Sequence, residues 1–325
     1  MSAQDATLQQ YHQWMKVNAT SHLIRSARQT GIFAELREGQ RTLKQLCESR
    51  SLKSDPTKLL LDALVAIGIV EKYGDDYALS RAAHLLCQYD DDLGDGRWQR
   101  LPDAVLGKTS RLDNDDQQYL NHSAATQWIH TPAAMQAAEI LNIGGDGEPQ
   151  GIAILDLGCG SAVWSCAMAH RDQRAKITAV DHADALVAAR STADSIELND
   201  RLETIAASPE SAQLPDDAFD LVLLAQRLSC RGDTEALELV RKAVAACDSG
   251  GRVVVIDVFR GPGKPNLVES IEALTLDLET EAGQIQSLEQ TQRLLGEAGL
   301  AEIQFTFLAA SHVNLGMAVG VKRLS

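Results

Sequence analysis

The sequence predicts an α/β chain in which a doubly wound, mostly parallel sheet follows a mostly α-helical N-terminal region. Three observations carry that reading. From Gly151 onward, apolar runs of strand length alternate with helical patterns, the arrangement of a parallel sheet covered on both faces. Within this stretch an apolar strand runs into the turn Gly158-Cys159-Gly160-Ser161 and then into a helix. Ahead of it, helical periodicity dominates and is closed by one short hairpin. The expected division is residues 1–100, a helical connector over 101–150, and the sheet domain over 151–325.

In the first part, Leu8 to Thr30 places Leu8, Tyr11, Met15, Leu23, Ile24 and Ala27 at helical spacing and stops at Gly31. Ile32 to Leu36 opens a new apolar segment. Thr42-Leu43-Lys44-Gln45 has the form of a capping box, so Thr42 should cap a short helix from Leu43 to Ser49. Ser54-Asp55-Pro56 starts the next helix, with proline at its first position, and Gly68 ends it after Ile67. Ile69 to Tyr73 and Tyr77 to Leu79, joined by Gly74-Asp75-Asp76, read as a hairpin. Helices followed by a two-stranded wing make a winged helix, a fold often put to use on DNA. Here the helix that would enter a groove carries Leu59, Leu60, Leu61, Ala63, Leu64, Val65 and Ile67, apolar on nearly every face, and is expected to be buried.

Charge argues the same way. The chain has 325 residues and a net charge of −15. Residues 1 to 100 hold 13 basic and 13 acidic side chains, and the rest hold 17 and 32, so neither part offers the basic stripe that neutralises phosphates. Nucleic acid and an anionic membrane surface are excluded as expected partners. With no apolar run of membrane-spanning length and no basic-then-apolar leader at Met1-Ser2-Ala3-Gln4-Asp5, a cytoplasmic protein is expected. The six cysteines are scattered without a C-x-x-C pair, which predicts reduced thiols and no metal site.

In the connector, Asp90-Asp91-Asp92 and Gly94-Asp95-Gly96 read as a solvated loop, and Trp128 to Met135 leads into a helix ending near Ile143. Strands are then expected at Ile152 to Leu157, Lys176 to Val180, Leu202 to Ala206, Phe219 to Leu224 and Arg252 to Val258. A closing pair follows at Glu302 to Leu308 and Leu315 to Val321. Helices are expected from Ala162, over Ala183 to Ser195, over Thr234 to Cys247, and over Leu288 to Gly299. Glycine in the turn lets backbone approach a ligand with no Cβ in the way, and the following helix offers unpaired N–H groups. Asp181 ends the second strand, 25 residues after Asp156, where adjacent parallel strand tips bring it within reach of a ribose hydroxyl pair. A dinucleotide fingerprint would need a third glycine where Val163 stands, so NAD and FAD are disfavoured.

The run Asp156-Leu157-Gly158-Cys159-Gly160-Ser161, with Asp181 at the next strand tip, resembles motif I of the class I S-adenosylmethionine-dependent methyltransferases. The segments Gly31-Ile32-Phe33, Thr42-Leu43 and Leu64 to Val70 resemble the winged-helix dimerisation domain preceding the catalytic domain in small-molecule O-methyltransferases. Gly250-Gly251 and Leu294 to Leu300 resemble further landmarks, so the likeness covers nearly the full chain. It implies a seven-stranded sheet with its last strand antiparallel, S-adenosyl-L-methionine as cofactor, a small-molecule substrate and a homodimer. It implies cofactor contacts at Asp156, Gly158, Cys159, Gly160, Ser161, Asp181, Ser208 and Gln226, and a substrate pocket drawing on Trp128, Met135 and the segment Asn266 to Leu278.

Two positions depart from that pattern. Ala162 replaces the third glycine of motif I. More serious, Ser229 stands where the resembled enzymes carry their general-base histidine. A hydroxyl nucleophile must shed a proton, and serine is a poor base near neutral pH. Either the acceptor is already ionised or is an amine, or another residue takes the proton, or the chain binds the cofactor without transferring methyl. Asp257 ends a strand near the expected site mouth, Trp164 can press on the cofactor or pack on the neighbouring strand, and His312 is expected at the surface.

Overall fold

The computed structural model describes residues 3–89, 95–108, 115–261, 263–264 and 266–324. The chain divides into two compact units, Met1–Gln99 and Arg100–Ser325.

In the first unit, α1 (Ala3–Gln29) leads to α2 (Ile32–Arg37), β1 (Arg41–Thr42), α3 (Leu43–Arg50), α4 (Ser54–Ala66), β2 (Val70–Tyr73), β3 (Asp76–Leu79) and α5 (Arg81–Tyr89). The expected capping box is present. Thr42 Oγ1 accepts from Gln45 N–H at 3.2 Å, and Thr42 N–H donates to Gln45 Oε1 at 2.8 Å. The hairpin is extended by β1 into a three-stranded sheet, order β1-β3-β2. Ile32, Phe33, Leu36, Leu46, Leu61, Leu64 and Tyr77 form the core of this unit. The expectation that α4 is buried all round is corrected: Leu61 and Leu64 are buried, whereas Leu59 and Ile67 are exposed. The unit's remaining core positions are filled from α1, α2, α3, the hairpin and α5, and one side of α4 stays uncovered. Along α1, Leu8, Tyr11, Trp14, Met15 and Val17 are exposed.

The expected loop around 90–96 lies partly outside the described residues, at 90–94. Asp95 and Gly96 open a helix, α6 (Asp95–Val105), and α7 (Asp115–Thr126) and α8 (Thr131–Ile140) follow. Then come β4 (Ala153–Leu157), α9 (Val163–Arg171), β5 (Lys176–Asp181), α10 (Ala183–Ser195), β6 (Leu202–Ala206) and β7 (Phe219–Ala225). The chain closes with α11 (Asp233–Ala246), β8 (Cys247–Val258), α12 (Leu267–Glu279), α13 (Leu288–Glu297), β9 (Leu300–Phe307) and β10 (Leu315–Lys322).

The seven strands lie in the order β6-β5-β4-β7-β8-β10-β9, and β10 is antiparallel to both neighbours. β4 and β7 are near-continuous apolar runs because both faces of the sheet are covered. One layer of buried side chains includes those of α8, α9 and α10, and the other those of α11 and α13. Chain order runs outward in opposite directions from β4 and β7, so their carboxyl ends mark the switch point where open α/β sheets place ligands. The amino end of β4 is pinned by polar contacts. Asp172 accepts from Gly151 N–H at 2.7 Å and Ile152 N–H at 3.1 Å, and Asp220 accepts from Ala153 N–H at 2.7 Å.

Candidate cofactor and acceptor site

The site begins at the end of β4. Gly158 and Gly160 take φ of 83° and 55°, and Ala162 holds the left-handed region at 56° as the N-cap of α9, so the alanine keeps the conformation that glycine would adopt there. Gly158 N–H and Cys159 N–H both donate to Val180 O, which ties the turn to the tip of β5. Asp181 then joins the two tips directly: its Oδ2 accepts from Gly160 N–H at 2.8 Å. Asp156, Gly158, Cys159, Gly160, Ser161 and Asp181 are thereby assembled in one buried cluster.

Asp156 is fully enclosed. Its Oδ2 accepts the Ser165 hydroxyl at 2.6 Å, while Oδ1 is buried with no partner. Burial pushes the carboxyl up to about 6 against the pull of Ser165. A buried acceptor left unpaired beside a bare glycine turn is what a ligand donor would satisfy. Trp164, in the first turn of α9, is completely buried, stacks on His130 at 5.9 Å, and leaves its indole N–H without a partner. Burial lowers the His130 imidazole to about 4, so it is neutral at physiological pH.

Two residues that sequence reasoning passed over close the cluster. Arg227, just beyond β7, donates from Nη2 to Asp181 Oδ2 at 2.6 Å and from Nε to Gly158 O at 2.6 Å. Gln127 Oε1 accepts from Ser161 N–H at 2.9 Å and from Ser161 Oγ at 3.0 Å. Arg227 was legible as a lone cation in the apolar run Leu223 to Leu228. Nothing local marked Gln127, whose contact spans 34 residues. Gln226 sits at the β7 tip in the left-handed region, φ 55°, with Oε1 buried and unpaired. Ser208 lies at the β6 exit and engages Ser211, 2.9 Å between hydroxyls.

On the acceptor side, Ser229 is buried and its N–H donates to Asp257 Oδ2 at 3.0 Å, while Asp257 Oδ1 takes Val258 N–H at 2.9 Å. Burial raises Asp257 to about 6, opposed by its Ser229 hydrogen bonds. Tyr119 O–H reaches Glu272 on α12 at 3.4 Å, and burial pushes the phenol well above its ordinary range. Met135 is half-buried on α8, Trp128 is exposed in a short 3-10 turn before it, and His312 is exposed.

Residues 154–251 match a family model described as a methyltransferase domain. The chain carries a methyltransferase domain. Its whole length also resembles solved structures. Human N-acetylserotonin methyltransferase in complex with S-adenosylmethionine is 18% identical with a TM-score of 0.71, each chain covered to 99%. The mitomycin 7-O-methyltransferase MmcR is 18% identical at TM-score 0.72, also 99% of each. An O-methyltransferase family protein from Burkholderia thailandensis is 16% identical at TM-score 0.69, covering 100% of this chain and 99% of that one. At these identities the likeness is one of fold. No curated protein matches the sequence. The expected enzyme class and the expected methyl donor, S-adenosylmethionine, are borne out by the domain match. No helix among the described residues is long and apolar enough to cross a membrane.

The residues present fit that donor. The methyltransferase domain offers an unpaired carboxylate oxygen at Asp156, a turn free of Cβ at Gly158 and Gly160, and a carboxylate at the adjacent tip. Both glycines are closely approached by side chains: a Cβ on Gly158 would meet Arg227 Nε at 2.5 Å, and one on Gly160 would meet Gln127 Oε1 at 2.8 Å.

Proposed function

We propose that this methyltransferase acts on a small-molecule acceptor, at oxygen, as a cytoplasmic homodimer. The observation that carries the reading is the orphaned Asp156 Oδ1 beside the glycine turn at the switch point of the sheet. Asp156, Gly158, Cys159, Gly160 and Ser161 would hold the methionine portion, Asp181 the ribose, and Gln226 and Ser208 the nucleoside flank. Trp128 and Met135, with the α12 segment, supply acceptor-side surface.

When bound, S-adenosylmethionine supplies an electrophilic methyl group. The chain's own work is to align the acceptor and exclude water, and burial of the turn and of Ser229 serves both. Ser229 cannot take the acceptor proton at neutral pH. Asp257 Oδ2, linked to Ser229 N–H, is a carboxylate at pH 7 because its pKa of about 6 lies below it, and it receives the proton of a hydroxyl acceptor. An acceptor that is ionised beforehand needs no such transfer.

The first 100 residues form the winged-helix dimerisation domain, 101–150 the connector and 151–325 the methyltransferase domain. The exposed Leu8, Tyr11 and Met15 share one stripe of α1 and are offered to a second copy. Light scattering on the purified chain should give a dimer, and Leu8→Ser with Tyr11→Ser and Met15→Ser should shift it to monomer. For the chemistry, the test is isotope-labelled S-adenosylmethionine with a panel of phenols, carboxylic acids and amines. Label on an oxygen acceptor supports the proposal. Binding of the donor with no transfer to any acceptor class favours a cofactor-binding protein that has left methyl transfer.

A further inference from the structure

Arg227 is the side chain that the cofactor reading leaves unexplained. It is 5% exposed and Asp181 is 2% exposed, so their ion pair is sealed from solvent. The carboxylate is saturated by protein: Oδ1 accepts His182 N–H at 2.8 Å, and Oδ2 accepts Gly160 N–H and the Arg227 guanidinium. The arginine stem lies flat on the bare face of Gly158, where a Cβ would stand 2.8 Å from its Cδ and 3.0 Å from its Cγ. That is the face a glycine turn leaves clear for a ligand. The backbone aims the guanidinium there: Gln226, immediately before it, holds φ 55°, and its N–H donates to Ile256 O at 2.6 Å.

We infer that Arg227 sets cofactor affinity, its guanidinium occupying the place beside Asp181 and Gly158 so that a nucleoside enters only by replacing it there. This rests on the methyl-donor reading above. A ligand able to make the exchange must return one donor to the buried Asp181 carboxylate and one to the Gly158 carbonyl, and a nucleoside with both ribose hydroxyls carries two. The affinity measured for such a ligand is what remains after the ion pair is broken, and that pair draws on charge-assisted hydrogen bonds in a dry site.

The test is calorimetric titration of S-adenosylhomocysteine into the full chain, stripped of nucleotide, as wild type, Arg227→Leu and Arg227→Gln. Both variants should bind on the order of ten- to a hundredfold more tightly than wild type, even where they melt lower without ligand. A purely structural ion pair would lower the melting point and leave affinity unchanged or weaker, which would overturn the inference. A second reading needs no variant: in wild-type protein the Arg227 Nε–H should be protected from hydrogen exchange and lose that protection when the cleft is saturated. Protection that survives saturation overturns the inference while leaving the cofactor assignment standing. If neither wild type nor either folded variant takes up S-adenosylhomocysteine, the cofactor assignment fails, and the inference with it.

Discussion

Replacing Asp156 with asparagine should stabilise the methyltransferase domain at neutral pH relative to acid, and weaken cofactor binding in the same protein. Burial raises this carboxyl from 3.8 to about 6. An acid with a folded pKa above its unfolded one holds more protons when folded, so stability falls as pH rises from about 4 to 6 and stays lowered above that. At about 1.4 kcal/mol for each pKa unit, the charged form costs roughly 3 kcal/mol once both values are passed. Asparagine does not titrate. Its other consequences, including an amide placed where Oδ1 had no partner, are independent of pH and cancel when the two proteins are compared at two pH values. Between about pH 4.5 and 7.5, the difference in unfolding free energy should move by about 2 kcal/mol in favour of the variant. Urea unfolding followed by far-ultraviolet circular dichroism at both pH values measures it. A difference that stays constant, or moves toward the wild type, would show that the carboxyl is not raised and would sink the reasoning. In the same preparation, S-adenosylhomocysteine should bind at least about tenfold more weakly, because a buried acceptor has become a donor.

Asp172→Ala removes the acceptor shared by Gly151, Ile152 and Arg174 N–H groups, and should lower stability by about 3 kcal/mol or more in thermal melts. His130 is held neutral to about pH 4, so its contribution is complete above about 6.5 and is lost as pH falls toward 4. His130→Gln should therefore remove roughly 3 kcal/mol of acid sensitivity over that window, read from unfolding curves at each pH. Asn266→Ala deletes one half of the capping box on α12 and should cost about 1 kcal/mol, measured by urea midpoint at unchanged slope.

The strands were legible because β4, β5 and β7 are apolar runs ended by polar or glycine residues, a pattern that burial on both faces imposes. The connector was expected to be helical, but the separate helices α6 and α7 were not placed. The α7 sequence is polar almost throughout, with Tyr119 and Ala124 its buried side chains, so little periodicity remains to be read. On α12 the signal existed, since Asn266 and Glu269 form a capping box, but the apolar residues after it fit several patterns. Gly250-Gly251 resembled a break before a strand, yet β8 passes through them from Cys247, with φ 79° at Gly250 absorbing the irregular register beside Phe219. In the site, the turn and both acids were evident from local spacing. The Arg227–Asp181 pair joins residues 46 apart in sequence, and only the folded sheet brings them to one place.

Ala162, at the start of α9, and Gln226, just after β7, each hold a backbone region that a side chain disfavours by roughly 1–2 kcal/mol. Neither is glycine, so both bends persist only because the surrounding packing over-determines them. At these two points the main chain is therefore stiff. Ligand entry is then expected to proceed by rotation of side chains beside these two bends, and crystals grown with and without nucleoside should superimpose closely along the backbone at Ala162 and Gln226.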